Sequence, residues 1–170
     1  TFRAAGADQA IRLMKEACPE MLVGAGTVLT ESQVDAAQAA GAEFIVTPGF
    51  YGSLVEYCQK RSLPIYPGCT TPTDYHAALK YGLEVLKFFP AEQSGGLPKI
   101  KAMSAPFSMF RIMPTGGISL QNLKEYLSCP VILACGGSYM VTESLIEGQS
   151  WEEITQLCRN SRRLVKEARG

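Results

Sequence analysis

Short apolar runs return along this chain at regular intervals. They begin near residues 21, 44, 65, 85, 109 and 131, so the spacing is about 20–25 residues. Each run is rich in β-branched and aromatic residues and is bounded by glycine or proline, which reads as a buried strand. Between the runs, apolar positions recur at helical spacing. This predicts helices over 8–17, 54–59, 97–104, 119–127 and 151–169. Thr30-Glu31-Ser32-Gln33 has the form of a capping box opening a helix that Gly41 closes, and Thr73 or Asp74 starts another that runs to Tyr81. One helix per gap between strands is the βαβ signature of a parallel sheet. Four of the runs end in Pro48, Pro67, Pro90 and Pro114. Proline cannot donate to a ladder, so it marks where a strand exits.

Six such units in one chain of 170 residues suit one domain, 1–170, of α/β class. An open dinucleotide-type sheet would call for G-x-G-x-x-G after an early strand. Gly24-Ala25-Gly26-Thr27-Val28-Leu29 lacks the third glycine. A closed (β/α)₈ barrel instead places its site at the carboxyl ends of the strands, with phosphate held after the last two. Here those ends carry Thr115-Gly116-Gly117-Ile118-Ser119 and Gly136-Gly137-Ser138. Paired glycines let backbone N–H groups converge on an anion, and Ser119 is the expected start of a helix whose dipole favours one. The plainer alternative is that the glycines only make tight turns.

Lys87 stands inside the most apolar run, Glu84-Val85-Leu86-Lys87-Phe88-Phe89-Pro90-Ala91-Glu92. Strand alternation puts it on the same face as Val85 and Phe89. An ammonium on an apolar face is costly, and the response is a lowered pKa that favours the neutral, nucleophilic amine. The competing reading has Lys87 snorkel from the strand end or pair with Glu92.

Composition narrows the function classes. Sixteen basic residues balance sixteen acidic ones, and no block of one sign occurs, which argues against nucleic acid or an anionic membrane as partner. No apolar run approaches the ~18 residues of a membrane span. Cys18, Cys58, Cys69, Cys129, Cys135 and Cys158 form no C-x-x-C pair and are expected to be buried free thiols in a reducing, cytoplasmic setting. The single histidine, His76, leaves a multi-histidine metal site out of account.

The motifs Val23-Gly24-Ala25-Gly26-Thr27-Val28-Leu29, Val46-Thr47-Pro48-Gly49, Ile65-Tyr66-Pro67-Gly68, Leu86-Lys87-Phe88-Phe89-Pro90-Ala91-Glu92, Pro114-Thr115-Gly116-Gly117-Ile118-Ser119 and Gly136-Gly137-Ser138 together resemble the 2-keto-3-deoxy-6-phosphogluconate (KDPG)/4-hydroxy-2-oxoglutarate aldolase family. The resemblance implies a class I, Schiff-base aldolase on a TIM (β/α)₈ barrel, assembled as a homotrimer and needing no metal or organic cofactor. Its partners would be a small phosphorylated 2-keto sugar acid and pyruvate. Position by position, Lys87 would form the Schiff base, and Arg3 and Thr27 would hold the pyruvate carboxylate. Pro48 and Phe89 would line the pocket around the pyruvate carbons. Thr115, Gly116, Gly117, Gly137 and Ser138 would bind the rest of the substrate, with the glycines and Ser138 on its phosphate.

One departure from the family stands out. Its general acid/base is a glutamate in an E-x-T-x-R pattern, and here Thr1-Phe2-Arg3 puts that glutamate two positions ahead of Thr1. Glu92 is the nearest carboxylate by motif and is not assigned the role. The expectation is a barrel whose first two strands, with that glutamate, precede these residues. Two alternatives stand beside the main reading: an aldolase for the galactonate-derived epimer, and a non-catalytic phosphate-binding barrel.

Overall fold

A computed structural model describes residues 1–170. The chain forms two compact units, Thr1–Lys87 and Phe88–Gly170, in which strands and helices alternate.

The first unit runs α1 (Ala7–Ala17), β1 (Gly24–Gly26), α2 (Glu31–Ala39), β2 (Phe44–Val46), α3 (Gly52–Lys60), β3 (Ile65–Tyr66), α4 (Pro72–Lys80) and then β4 (Val85–Phe88), which crosses into the second unit. β1, β2 and β3 pair in parallel, with Ala25 opposite Ile45 and Ile45 opposite Ile65. Those three side chains are buried, and they form one core with Ile11, Val34, Ala37, Leu54, Val55 and Cys58 of the helices. Burying an aliphatic side chain of this size stabilises by about 1.5–3 kcal/mol, so the sheet's helix-facing side carries this unit.

The helix start predicted at Thr30 has its cap. The Thr30 side chain accepts from the Gln33 amide at 3.3 Å, and the Gln33 side chain reaches back to the Leu29 amide at 2.7 Å. α4 begins earlier than Thr73 or Asp74. Thr71 is its N-cap, Pro72 its first residue, and Asp74 closes a full capping box by accepting from the Thr71 amide at 2.9 Å. Proline needs no partner for an amide it lacks, so the first turn is where it fits.

The second unit continues with α5 (Gly96–Ser104), β5 (Arg111–Pro114), α6 (Leu123–Leu127), α7 (Glu143–Glu147) and α8 (Trp151–Arg169). Its fully buried side chains include Phe88, Ile100, Phe110, Ile112 and Ile132. α8 packs on α6 and α7.

Several expectations are corrected here. The sixth strand, expected over 131–135, is reduced to isolated parallel bridges, Ile112 with Ile132 and Thr115 with Gly136. The Arg169 guanidinium donates to the Ile132 and Leu133 carbonyls at 2.5 and 3.2 Å, so a side chain satisfies groups that a neighbouring strand would otherwise bond. The helix expected from Ser119 starts only at Leu123, after a turn in which the Ser119 amide donates to Asn122 Oδ1 at 2.8 Å. α7, with its Thr142 cap, was not anticipated. Of the six free cysteines, Cys18 and Cys158 are exposed rather than buried.

Candidate active site

In the first unit the site residues gather where the strands end. Gly68 pairs with Lys87 in a parallel bridge. The Lys87 amide donates to the Pro67 carbonyl at 2.9 Å, and the Lys87 carbonyl accepts from the Cys69 amide at 2.8 Å. Register and alternation then put Lys87 on the sheet face opposite to Ala25, Ile45 and Ile65. That face carries Phe44, Val46 and Tyr66, and the Phe44 and Tyr66 rings lie 5.7 Å apart. A Cβ at Gly24 would lie 2.2 Å from the Phe44 ring, so the glycine makes room for the aromatic.

Lys87 is only 8% exposed. Burial lowers its pKa below the ordinary value, and the positive charge of Arg3 lowers it further. Both effects disfavour the ammonium and favour the free amine. Cys69 is next in the same ladder, but burial pushes its thiol up to about 12, so it remains a protonated, unreactive neighbour.

The other predicted residues of this unit sit at the same strand ends. The Phe2 amide donates to the Gly26 carbonyl at 2.8 Å, which ties the segment holding Arg3 to the end of β1. Thr27 follows directly, with φ 56°. A β-branched residue in the left-handed region is a strained outlier of a kind that collects at ligand sites. Thr47 is buried, and its hydroxyl donates to the Gly49 carbonyl at 2.6 Å, shaping the turn that holds Pro48.

In the second unit, the segment leaving β4 and the segment leaving β5 are bonded side by side. The Thr115 amide donates to the Phe88 carbonyl at 2.9 Å, the Ala91 amide to the Thr115 carbonyl at 2.8 Å, and the Glu92 amide to the Gly116 carbonyl at 3.2 Å. The Phe89–Pro90 peptide between them is cis. Gly116 and Gly117 have φ 93° and 79°, a conformation only glycine adopts without strain. A Cβ on Gly116 would lie 3.3 Å from the Phe89 ring and 3.1 Å from Pro90 Cα. Gly137 and Ser138 are exposed one and two residues beyond the Gly136 bridge to Thr115. Thr115, Gly116, Gly117, Gly137 and Ser138 therefore occur on two adjacent turns, as their order along the chain implied.

Glu92 accepts a short hydrogen bond from the Tyr126 hydroxyl. His76 is exposed on α4, and no three His, Cys, Asp or Glu side chains gather to hold a metal ion. No helix is long and apolar enough to cross a membrane. Sequence reasoning gave no role to Phe44, Tyr66 or Gly68. Their signal was present as even spacing from Lys87's partners in the ladder, but it needs the register to be read. Asn122, which donates to the Gly117 carbonyl at 3.0 Å, had no signal at all.

The chain is similar to known proteins. The KDPG and KHG aldolase family model matches residues 1–157. The chain is 46% identical over 166 residues to the 2-dehydro-3-deoxy-phosphogluconate aldolase of Haemophilus influenzae, covering 98% of this chain and 78% of that one. It is 38% identical over 161 residues to the KHG/KDPG aldolase of Escherichia coli K12, covering 95% and 76%. Its backbone is similar, with a TM-score of 0.87 and 39% identity, to that of the KDPG aldolase of Legionella pneumophila whose crystal structure holds pyruvate captured at low pH as a covalent carbinolamine intermediate. That match covers 92% of this chain and 76% of the other. With a family model spanning most of its residues and relatives at this identity, the chain belongs to the KDPG and KHG aldolase family.

Proposed function

We propose that this chain is a class I aldolase that cleaves 2-dehydro-3-deoxy-6-phosphogluconate to pyruvate and glyceraldehyde 3-phosphate, and that it also accepts 4-hydroxy-2-oxoglutarate, yielding pyruvate and glyoxylate. The observation that carries the reading is the amine of Lys87, buried on an aromatic-lined strand face with its pKa lowered. The Lys87 amine adds to the substrate's 2-keto carbon and the resulting carbinolamine loses water to an iminium. That cation draws in the electrons of the C3–C4 bond as it breaks, while the C4 hydroxyl gives up its proton and leaves as the aldehyde. The enamine left on Lys87 takes a proton at C3, and water releases pyruvate and the free amine.

Arg3 and Thr27 hold the pyruvate carboxylate, and Pro48 and Phe89 line the pyruvate carbons. Thr115, Gly116, Gly117, Gly137 and Ser138 take the phosphate-bearing end. The reading ascribes both sets of residues to one substrate on the family's order of motifs, in a single (β/α)₈ barrel domain that assembles as a homotrimer in the cytoplasm. It assigns the proton transfers to none of residues 1–170.

The test is trapping with pyruvate and borohydride, followed by a peptide mass map. The adduct is expected on Lys87 and absent from Lys87→Arg, because a guanidinium stays charged and forms no imine. An adduct on Lys80, Lys99 or Lys101, or none in the unaltered protein, overturns the proposal.

A further inference from the structure

The phosphate reading leaves an oddity in the second unit: an acidic side chain lies directly beneath the loop assigned to an anion. A Cβ on Gly117 would lie 2.5 Å from Glu92 Cγ and 2.6 Å from Glu92 Cβ, so the stem of Glu92 is the floor under Gly117. The Glu92 amide also donates to the Gly116 carbonyl at 3.2 Å. Glu92 is itself exposed, and its carboxylate is engaged by Tyr126. This tyrosine of α6 is 2% exposed, and its hydroxyl donates to Glu92 Oε1. A Cβ on Gly96 would lie 3.2 Å from that same oxygen and 3.3 Å from the tyrosine hydroxyl. Glycine at 96, with φ 61°, thus leaves the space in which the pair meets. On the other side of the loop, Asn122 holds the Gly117 carbonyl and the Ser119 amide with its two amide atoms, which fixes the loop in place over the Glu92 stem.

Resting on the phosphate assignment above, we infer that Tyr126 is a positioning residue for substrate affinity: it holds the Glu92 carboxylate away from the Gly116–Gly117 amides and so keeps a like charge off the bound phosphate. Glu92 contributes its stem as packing and its charge as a liability that Tyr126 restrains. The Tyr126 hydroxyl suits this task because it stays protonated. Burial raises its pKa, and the bond to Glu92 raises it further, so it remains a donor throughout the working range.

The experiment follows inorganic phosphate binding through the amide resonances of Gly116 and Gly117 in the full chain, for the unaltered protein, Tyr126→Phe, Glu92→Gln and the double variant. Tyr126→Phe keeps the ring and frees the carboxylate. A like charge brought within a few ångströms at a solvated site weakens phosphate binding by about five- to tenfold, and the loss shrinks as salt is raised. Glu92→Gln alone binds as tightly as the unaltered protein or more so. The double variant recovers to within about twofold of it, since no charge remains to release. Persistence of the loss in the double variant, or an equal loss in Glu92→Gln, would mean that the pair serves packing only and overturns the inference. Absence of any phosphate effect on the Gly116 and Gly117 amides in the unaltered protein overturns both the phosphate assignment and the inference. Pyruvate trapping at Lys87 of that same protein tests the Schiff-base chemistry separately.

Discussion

Gly68 lies opposite Lys87 in the parallel ladder, and the residues on either side of Gly68 bond the Lys87 backbone in both directions. The position admits no side chain: a Cβ on Gly68 would fall onto the Pro48 carbonyl and 2.9 Å from the Gly49 amide. Gly68 therefore meets the Lys87 backbone through the ladder and the Pro48 backbone by close approach.

Gly68→Ala is expected to force these backbones apart, at a cost of about 1–3 kcal/mol, as for other overpacked sites. Denaturant unfolding should show the loss, together with slower pyruvate trapping at Lys87. Gly49→Ala is the control. A Cβ there meets nothing closer than the Tyr51 ring at 3.7 Å, so its effect should stay within about 0.5 kcal/mol. Equal effects at the two positions would remove the argument from close approach.

Lys87 should make stability and reactivity depend on pH in a defined sense. Its folded pKa is lowered from 10.5, first by burial and then by Arg3. Between that lowered value and 10.5 the unfolded chain binds the extra proton, so stability rises with pH across this window. Below the window the buried ammonium is a full penalty; above it the penalty is gone. Lys87→Met should therefore be more stable than the unaltered protein at neutral pH, and the difference should shrink as pH climbs toward 10.5. Trapping should slow as pH falls below the lowered pKa. Arg3→Gln should move the trapping profile to higher pH while burial still holds it below the ordinary lysine range. A profile indifferent to Arg3 would contradict the electrostatic account.

For the turns proposed to bind phosphate, Ser138→Ala is a cleaner probe than any change at Gly117. Ser138 is exposed, whereas a side chain at Gly117 would meet both a left-handed φ and the Glu92 stem. Ser138→Ala should raise KM for the phosphorylated substrate by roughly ten- to a hundredfold, since one hydrogen bond to a charged group is worth about 1.5–3 kcal/mol and about 1.4 kcal/mol is tenfold. KM for unphosphorylated 4-hydroxy-2-oxoglutarate should not change. A fall in kcat with the phosphorylated substrate fits the same account, because remote binding energy helps position the reacting bond. Equal losses on both substrates would mean the turn shapes the fold and not a phosphate site.

What the sequence determined by itself was the succession of elements as far as β5 and the apolar strand in which Lys87 lies. Hydrophobic runs broken by proline and glycine are local properties of the chain, so the order of helices other than α7 and the places of β1 to β5 could be read from them. The Lys87 environment was legible for the same reason, since its neighbours in the strand are its neighbours in the sequence. Residues 131–135 mark the limit. Their composition is that of a strand, yet whether the carbonyls of Ile132 and Leu133 meet another strand or the Arg169 guanidinium depends on a residue more than thirty positions away. Only the tertiary structure decided that Gly68 lies opposite Lys87 with no room for a side chain beside the Pro48 carbonyl, that Phe44 and Tyr66 share the lysine's face, and that Glu92 accepts from Tyr126. Each of these is a contact between distant segments, set by strand register and by which side chain reaches a buried polar group first. Spacing along the chain carries no record of either.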